Sequence, residues 1–245
     1  MGCKIQKYKN SRTLIVRKIL LLACLFLTLS CNNMGSKKTK VIFLGDSITQ
    51  QGADLDIGFI SLLKNNLSQS DFELIGKGIS GNKISDLLVR YKTDVLDLNP
   101  DIVFIYIGIN DVWHKYDFGT GSDIDIYEKG LRKIISDISS SGSKIVLCTP
   151  TVIGENTGDF ELGNKFKDVQ TMDKMNRDLD LFSEVVEKLS SEYSTELLDL
   201  RKIFMDYIST NNPNNNSSGI LTYDGVHLNK QGNTLIANEM LKFFN

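Results

Sequence analysis

Apolar positions along this chain come in two patterns, solid runs and periodic stripes. Val41 to Leu44 and Ile102 to Ile107 are unbroken apolar runs rich in β-branched and aromatic residues, the signature of strands buried on both faces. Lys144 to Cys148 is a third such run, closed by Pro150, and Phe72 to Ile75 and Glu196 to Leu198 are shorter strand candidates. Between them the apolar residues recur at helical spacing: around Phe59 to Leu67, at Ile84, Leu87, Leu88, Tyr91, Val95 and Leu98, around Tyr127 to Ile138, and from Met172 to Leu189. Asn99-Pro100 ends the second of these helices. A terminal helix carries the stripe Leu235, Ile236, Met240, Leu241 and Phe244. His114 to Asp125 reads as a loop, residues 151 to 165 as glycine-rich irregular chain, and Asn211 to Gly219 as a polar insertion that cannot join a core.

Strands that alternate with helices predict an α/β fold, a five-stranded parallel sheet covered on both faces with right-handed crossovers. Ligands of such sheets sit along the carboxyl edge of the strands. The 245 residues, 41% of them hydrophobic, suit one core, and a single domain over residues 41–245 is expected.

Charge sets the first thirty residues apart. They hold Lys4, Lys7, Lys9, Arg12, Arg17 and Lys18 and no acid, followed by the apolar segment Ile19 to Ser30 and then Cys31. This is the layout of a secretory signal peptide, too short for a comfortable membrane span. Thr28-Leu29-Ser30-Cys31 resembles a bacterial lipoprotein signal, which implies that Cys31 carries the lipid and becomes the mature N-terminus. Leu21-Leu22-Ala23-Cys24 fits that pattern better locally but leaves too short an apolar segment, so Cys31 is preferred over Cys24. The expected product is an exported protein held at a membrane by its N-terminal lipid, with residues 31–40 as a polar tether. Without the leader the chain has 22 basic and 30 acidic residues, net −8, which argues against a nucleic-acid partner. Cys148 is the one cysteine of the expected domain, so no internal disulfide is possible there, and its apolar run predicts a small buried hydrophobe.

Each strand of the first half runs into polar residues at its carboxyl end. Gly45-Asp46-Ser47 follows the first strand, Gly78-Ile79-Ser80-Gly81-Asn82 the second, and Gly108-Ile109-Asn110-Asp111 the third. A serine presented there is a candidate nucleophile, but ester cleavage also needs a base, a group to orient the base, and donors for the oxyanion. His227 is one of two histidines, and Asp224 precedes it by three residues, close enough for the carboxylate to reach Nδ1 while Nε2 faces the serine. Asp46 and Asp111 read as local structural carboxylates. With two histidines and no His-x-x-x-His or paired-cysteine motif, a zinc site is poorly supported, and no cofactor or metal is expected.

These four blocks in order resemble the SGNH hydrolases of the GDSL esterase and lipase group. The resemblance spans nearly the whole mature chain and implies the flavodoxin-like three-layer α/β/α fold of that superfamily. It implies Ser47 as nucleophile, His227 as base and Asp224 as its orienting group. It also implies an oxyanion hole made of the backbone N–H groups of Ser47 and Gly81 and the side-chain amide of Asn110; Gly81 rather than Gly78 rests on the resemblance alone. The expected reaction is hydrolysis of a carboxylic ester through an acyl-enzyme. Trp113, Tyr116 and Phe118 follow Asn110 closely and could stack on sugar faces, and His114 could line the acyl or leaving-group pocket, which points to short acyl esters, acetyl above all, of a small molecule or oligosaccharide. The same rings could equally pack their loop onto the domain. A lysophospholipase or acyl-thioesterase of the same family is the alternative substrate class. A Mg²⁺-dependent phosphate enzyme with Asp46 as nucleophile, and a binding module without catalysis, are less favoured. The sequence does not specify an oligomeric state.

Overall fold

The computed structural model describes residues 37–162 and 165–244. The expected signal peptide, with Cys24 and Cys31, and the tether up to Ser36 lie outside the described residues. The elements of the domain are β1 (Thr39–Gly45), α1 (Ser47–Asp54), α2 (Phe59–Asn66), β2 (Phe72–Gly78), α3 (Ile84–Asp94), β3 (Ile102–Tyr106), α4 (Ile109–Asp117), α5 (Ile124–Ser140), β4 (Lys144–Cys148), β5 (Phe160–Leu162), β6 (Lys165–Lys167), α6 (Val169–Tyr193), β7 (Glu196–Leu198), α7 (Leu200–Asn211) and α8 (Lys230–Met240). Short 3₁₀ turns follow α3 and α8, at Leu96–Leu98 and Leu241–Phe243.

Five strands form an all-parallel sheet in the order β2-β1-β3-β4-β7, so the expected α/β fold and its parallel sheet are borne out. The apolar runs sit at its centre. Val41 to Leu44 on β1 and Val103 to Ile105 on β3 are essentially inaccessible, because helices cover both faces of the sheet. Phe43 and Phe104 are register partners whose rings stack at 5.0 Å, and Phe59 of α2 meets Phe43 edge-on at 6.2 Å. Cys148 is buried and free, and burial pushes its thiol well above the usual range, as suits a hydrophobe rather than a nucleophile. Register brings the strand ends level. Gly45 pairs with Gly78 on one side and with Tyr106 on the other, and Tyr106 in turn with Cys148. Residues that follow these positions therefore emerge side by side on one edge.

Several local expectations change. The loop expected over His114 to Asp125 is helical up to Asp117, and the next helix begins at Ile124 rather than Tyr127. The buried face of α4 includes Asn110 and Asp111, so its period is not written in apolar residues. Helix α1 escapes the apolar pattern similarly, since it buries Ser47, Thr49 and Gly52 beside one isoleucine. Part of the irregular stretch over 151–165 forms an antiparallel hairpin, β5 with β6. Its Lys167 pairs with Asp117 at the end of α4 at 2.9 Å, both side chains being almost fully buried. Helix α7 was not expected, although Leu200, Phe204 and Ile208, all buried, recur at every fourth position. Strand β1 also begins at Thr39, inside the stretch read as tether.

Candidate active site

The site starts from the sharp passage of β1 into α1. A Cβ on Gly45 would lie 2.1 Å from Thr49 Oγ1 and 2.5 Å from the Tyr106 carbonyl oxygen, so only glycine lets strand, helix and neighbouring strand approach this closely. Asp46 then caps the helix, its Oδ1 accepting from the Ile48 N–H at 3.0 Å. That hydrogen bond commits the carboxyl to the turn. Ser47 follows as the first helical residue, 7% exposed, with its backbone N–H at the positive end of α1.

His227 reaches Ser47 from the far end of the chain. Its Nε2 lies 3.0 Å from Ser47 Oγ and its Nδ1 2.7 Å from Asp224 Oδ2. The second carboxylate oxygen, Asp224 Oδ1, accepts from the backbone N–H groups of Val226 at 3.0 Å and His227 at 2.7 Å. Burial alone would raise the Asp224 pKa, but the side-chain and backbone hydrogen bonds from His227 outweigh it and hold the carboxyl below its usual value. The pair is thus a charged acceptor locked onto one imidazole nitrogen, with the other nitrogen left for the serine.

The loop after β2 brings Gly81 to the same edge, with a backbone φ of +77° that disfavours other residues. Gln50 of α1 holds this loop by accepting from Ser80 N and Ser80 Oγ at 2.8 and 2.9 Å. Asn110, 3% exposed on the first turn of α4, donates from Nδ2 to the Asn82 carbonyl at 3.0 Å, which fixes the plane of its amide. Arg90 on α3 donates to Asn82 Oδ1 at 2.7 Å, to the Lys77 carbonyl at 3.0 Å and to the Gly45 carbonyl at 2.7 Å. One guanidinium therefore spans the ends of β1 and β2 and the Gly81 loop, and Asp94 holds it from behind at 2.6 Å. Asp111 accepts from the Ile84 N–H with both oxygens, at 3.1 and 3.2 Å, and so ties α4 to the start of α3. Burial pushes Asp46 up to about 7 and Asp111 up to about 6, against the hydrogen bonds each accepts.

The aromatic group is divided. Trp113 and Tyr116 pack partly buried against the core, and their polar atoms are bound within the domain, Trp113 Nε1 to Asp117 Oδ2 at 2.5 Å and Tyr116 Oη to Asp178 Oδ2 at 3.1 Å. His114 faces the oxyanion side, since a Cβ on Gly81 would stand 3.9 Å from its Cε1, and burial lowers its pKa. Phe118, 56% exposed, meets His114 edge-on at 5.1 Å. Sequence reasoning overlooked Tyr223, whose ring lies nearly parallel to His227 at 5.8 Å and is 54% exposed, with its hydroxyl 3.1 Å from Gln51 Nε2. Its place immediately before Asp224 was the available signal. Arg90 was overlooked as well, and Asn82 was seen only as the end of the block after β2, with no role given to it. Among the described residues no group of three or more His, Cys, Asp or Glu could hold a metal ion.

The chain is similar to known proteins over most of its length. The GDSL-like lipase/acylhydrolase family profile matches residues 41–240. An acetylxylan esterase of Geobacillus stearothermophilus is 29% identical over 221 residues, covering 83% of this chain and 92% of that protein. The crystal structure of the acetyl xylan esterase AlAXEase has 40% identity and a TM-score of 0.74, covering 84% of this chain and all of its own. The Geobacillus esterase Axe2 superposes with a TM-score of 0.68 at 28% identity, covering 85% of this chain and 95% of its own, and its catalytic mutants replace a serine, an aspartate and a histidine with alanine. The uncharacterized lipoprotein YqeF of Bacillus subtilis is 28% identical over 151 residues, 59% of this chain and 60% of that protein. The resemblance seen in the four sequence blocks is borne out: the chain belongs to the GDSL-like lipase/acylhydrolase family, and it is a serine esterase that hydrolyses carboxylic esters.

Proposed function

We propose that this esterase removes acetyl groups from carbohydrate esters, with Ser47 as nucleophile, His227 as general base and acid, and Asp224 as the group that orients it. The observation that carries the reading is the single imidazole bonded to a serine on one nitrogen and to a carboxylate on the other, at 3.0 and 2.7 Å. Ser47 Oγ attacks the acyl carbon while its proton passes to His227 Nε2. Asp224 accepts from Nδ1–H and stabilises the imidazolium. The N–H groups of Ser47 and Gly81 and the free hydrogen of the Asn110 amide receive the developing oxyanion. His227 then protonates the leaving alcohol, water attacks the acyl-enzyme with its proton going to the same nitrogen, and His227 returns that proton to Ser47 Oγ as the bond to the acyl group breaks and the carboxylic acid leaves. The positive end of α1 favours the oxyanion in both halves.

Two features support a short acyl group on a sugar. The acetylxylan esterases are aligned with nearly the whole domain. The exposed rings of Tyr223 and Phe118 lie beside His227 and His114, where they can stack on sugar faces. The reading predicts kcat/KM larger for acetylated xylooligosaccharides than for a long-chain lysophospholipid, and the reverse order contradicts it.

The basic leader and the lipoprotein relative support export and a lipid anchor at Cys31, with residues 31–38 as the link to the hydrolase domain. No helix among the described residues is long and apolar enough to cross a membrane. Cys31→Ala should therefore move the protein from the membrane fraction to the soluble one, and unchanged fractionation argues against Cys31 as the anchor.

A further inference from the structure

Glu155 lies between β4 and the β5–β6 hairpin, outside every block that carries the chemistry, yet it is only 3% exposed. Both oxygens address one stretch of backbone: Oε2 accepts from Ile220 N at 2.8 Å, and Oε1 from Leu221 N and Thr222 N at 2.6 Å each. A carboxylate suits this cradle because both of its oxygens only accept, and its hydrogen bonds are about twice as strong as neutral ones. The backbone at Glu155 ties into the loop twice more, through Gly154 N to the Gly225 carbonyl at 2.8 Å and Glu155 N to the Ser217 carbonyl at 2.9 Å. Thr222 passes the restraint onward. Its Oγ1 accepts from Gly225 N at 3.0 Å, and the turn closes with Tyr223 N donating to the His227 carbonyl at 2.9 Å. Asp224 and His227 hang between these fixed points, on a segment that belongs to no helix or sheet strand.

We propose that Glu155 is a positioning residue for the Asp224–His227 pair, holding the backbone of Ile220 to Thr222 so that the imidazole meets Ser47 at bonding distance. The proposal rests on the assignment of His227 as base. Displacement of a reacting group by about 1 Å can cost on the order of a hundredfold in rate, so the effect of losing this anchor should appear in kcat. Glu155 also borders a cavity of about 250 Å³ lined by Asn156, Met172, Asn176, Met205 and Asn212, through which a small anion could reach the place it vacates.

The test compares the full-length protein with Glu155→Gln, Glu155→Ala and His227→Ala, using 4-nitrophenyl acetate as substrate. Both Glu155 variants should keep the wild-type circular dichroism and lose kcat by about tenfold to a hundredfold, with KM changed by less than about twofold. Hydrogen exchange at the amides of Ile220, Leu221 and Thr222 should accelerate, and sodium formate should restore part of the turnover of Glu155→Ala while leaving the wild type unchanged. Glu155→Gln with wild-type kcat, a loss confined to KM, or a folded Glu155→Ala that shows neither faster exchange nor formate rescue would each overturn the proposal. Global unfolding of both variants would overturn it too, since Glu155 would then hold the fold rather than the loop. His227→Ala keeps the two ideas apart: if it retains turnover the base assignment fails, whereas an inactive His227→Ala beside a wild-type-like Glu155→Gln removes only the positioning claim.

Discussion

The two halves of this active site are built by different means. Ser47, Gly81 and Asn110 follow the ends of β1, β2 and β3, which register brings level, and each connection to the next helix is short. Asp224 and His227 stand on a segment of turns between Asn211 and Lys230, whose only ladder contact is an isolated bridge between Thr222 and Leu228. The first half is placed by the register of the sheet and clamped by Gln50 and Arg90, the second by side chains such as Glu155, Thr222 and Asn229 that bind loop backbone. Sheet geometry is set by many apolar contacts and survives the loss of any one. A loop held by a few buried hydrogen bonds does not, because each unmade bond leaves a buried donor or acceptor at a cost of about 1–3 kcal/mol.

The comparison can be strained from each side. On the loop side, Asp224→Asn keeps the size of the group but loses the acceptor pair that fixes the imidazole tautomer, and kcat should fall by on the order of a thousandfold or more. A loss under about tenfold in steady-state kinetics would mean that the loop backbone, rather than the carboxylate, orients the ring. On the sheet side, Asn110→Ala should lower kcat by about a hundredfold, close to 2.7 kcal/mol, as expected for one oxyanion donor. A change confined to KM would instead show an amide that only binds substrate.

The smallest effect concerns stability rather than rate, and it isolates the sheet side. Burial raises Asp46 from 3.8 to about 7, so between those values the folded protein holds a proton that the unfolded chain releases. Its contribution is complete below pH 3.8 and is lost as pH rises toward about 7. Asp46→Asn preserves the helix cap while removing the titration. Its Tm relative to wild type should therefore climb by a few degrees from acid to neutral pH, and a difference independent of pH in thermal melts would contradict the burial of Asp46 as its dominant influence.

Legibility in the sequence divides along the same line. Solid apolar runs such as Val41–Leu44 and Ile102–Ile107 announce buried parallel strands, and the polar residues after them mark the catalytic edge without any structure. Helices whose buried faces are polar or small were illegible for a physical reason: Asn110 and Asp111 in α4, and Ser47 in α1, are buried because they bond to the site and its turns. Helix α7 is a different case, since Leu200, Phe204 and Ile208 show the period openly. Glu155 could not have been found, because its partners are backbone N–H groups more than sixty positions away and carry no side-chain signature. Trp113 and Tyr116 illustrate the converse, for aromatic composition near Asn110 is visible while the bonds to Asp117 and Asp178 that hold those rings are not.

The most direct test of the central claim is to trap the acyl-enzyme. The protein is mixed with an acetyl ester, quenched in acid within one turnover, digested and examined by mass spectrometry, with Ser47→Ala run in parallel. The account predicts one acetyl group on the peptide that contains Ser47, present in the wild type, absent from Ser47→Ala, and accompanied by loss of turnover in a variant that still folds. Turnover by Ser47→Ala within about tenfold of wild type, or an acetyl group on any other residue, would contradict it.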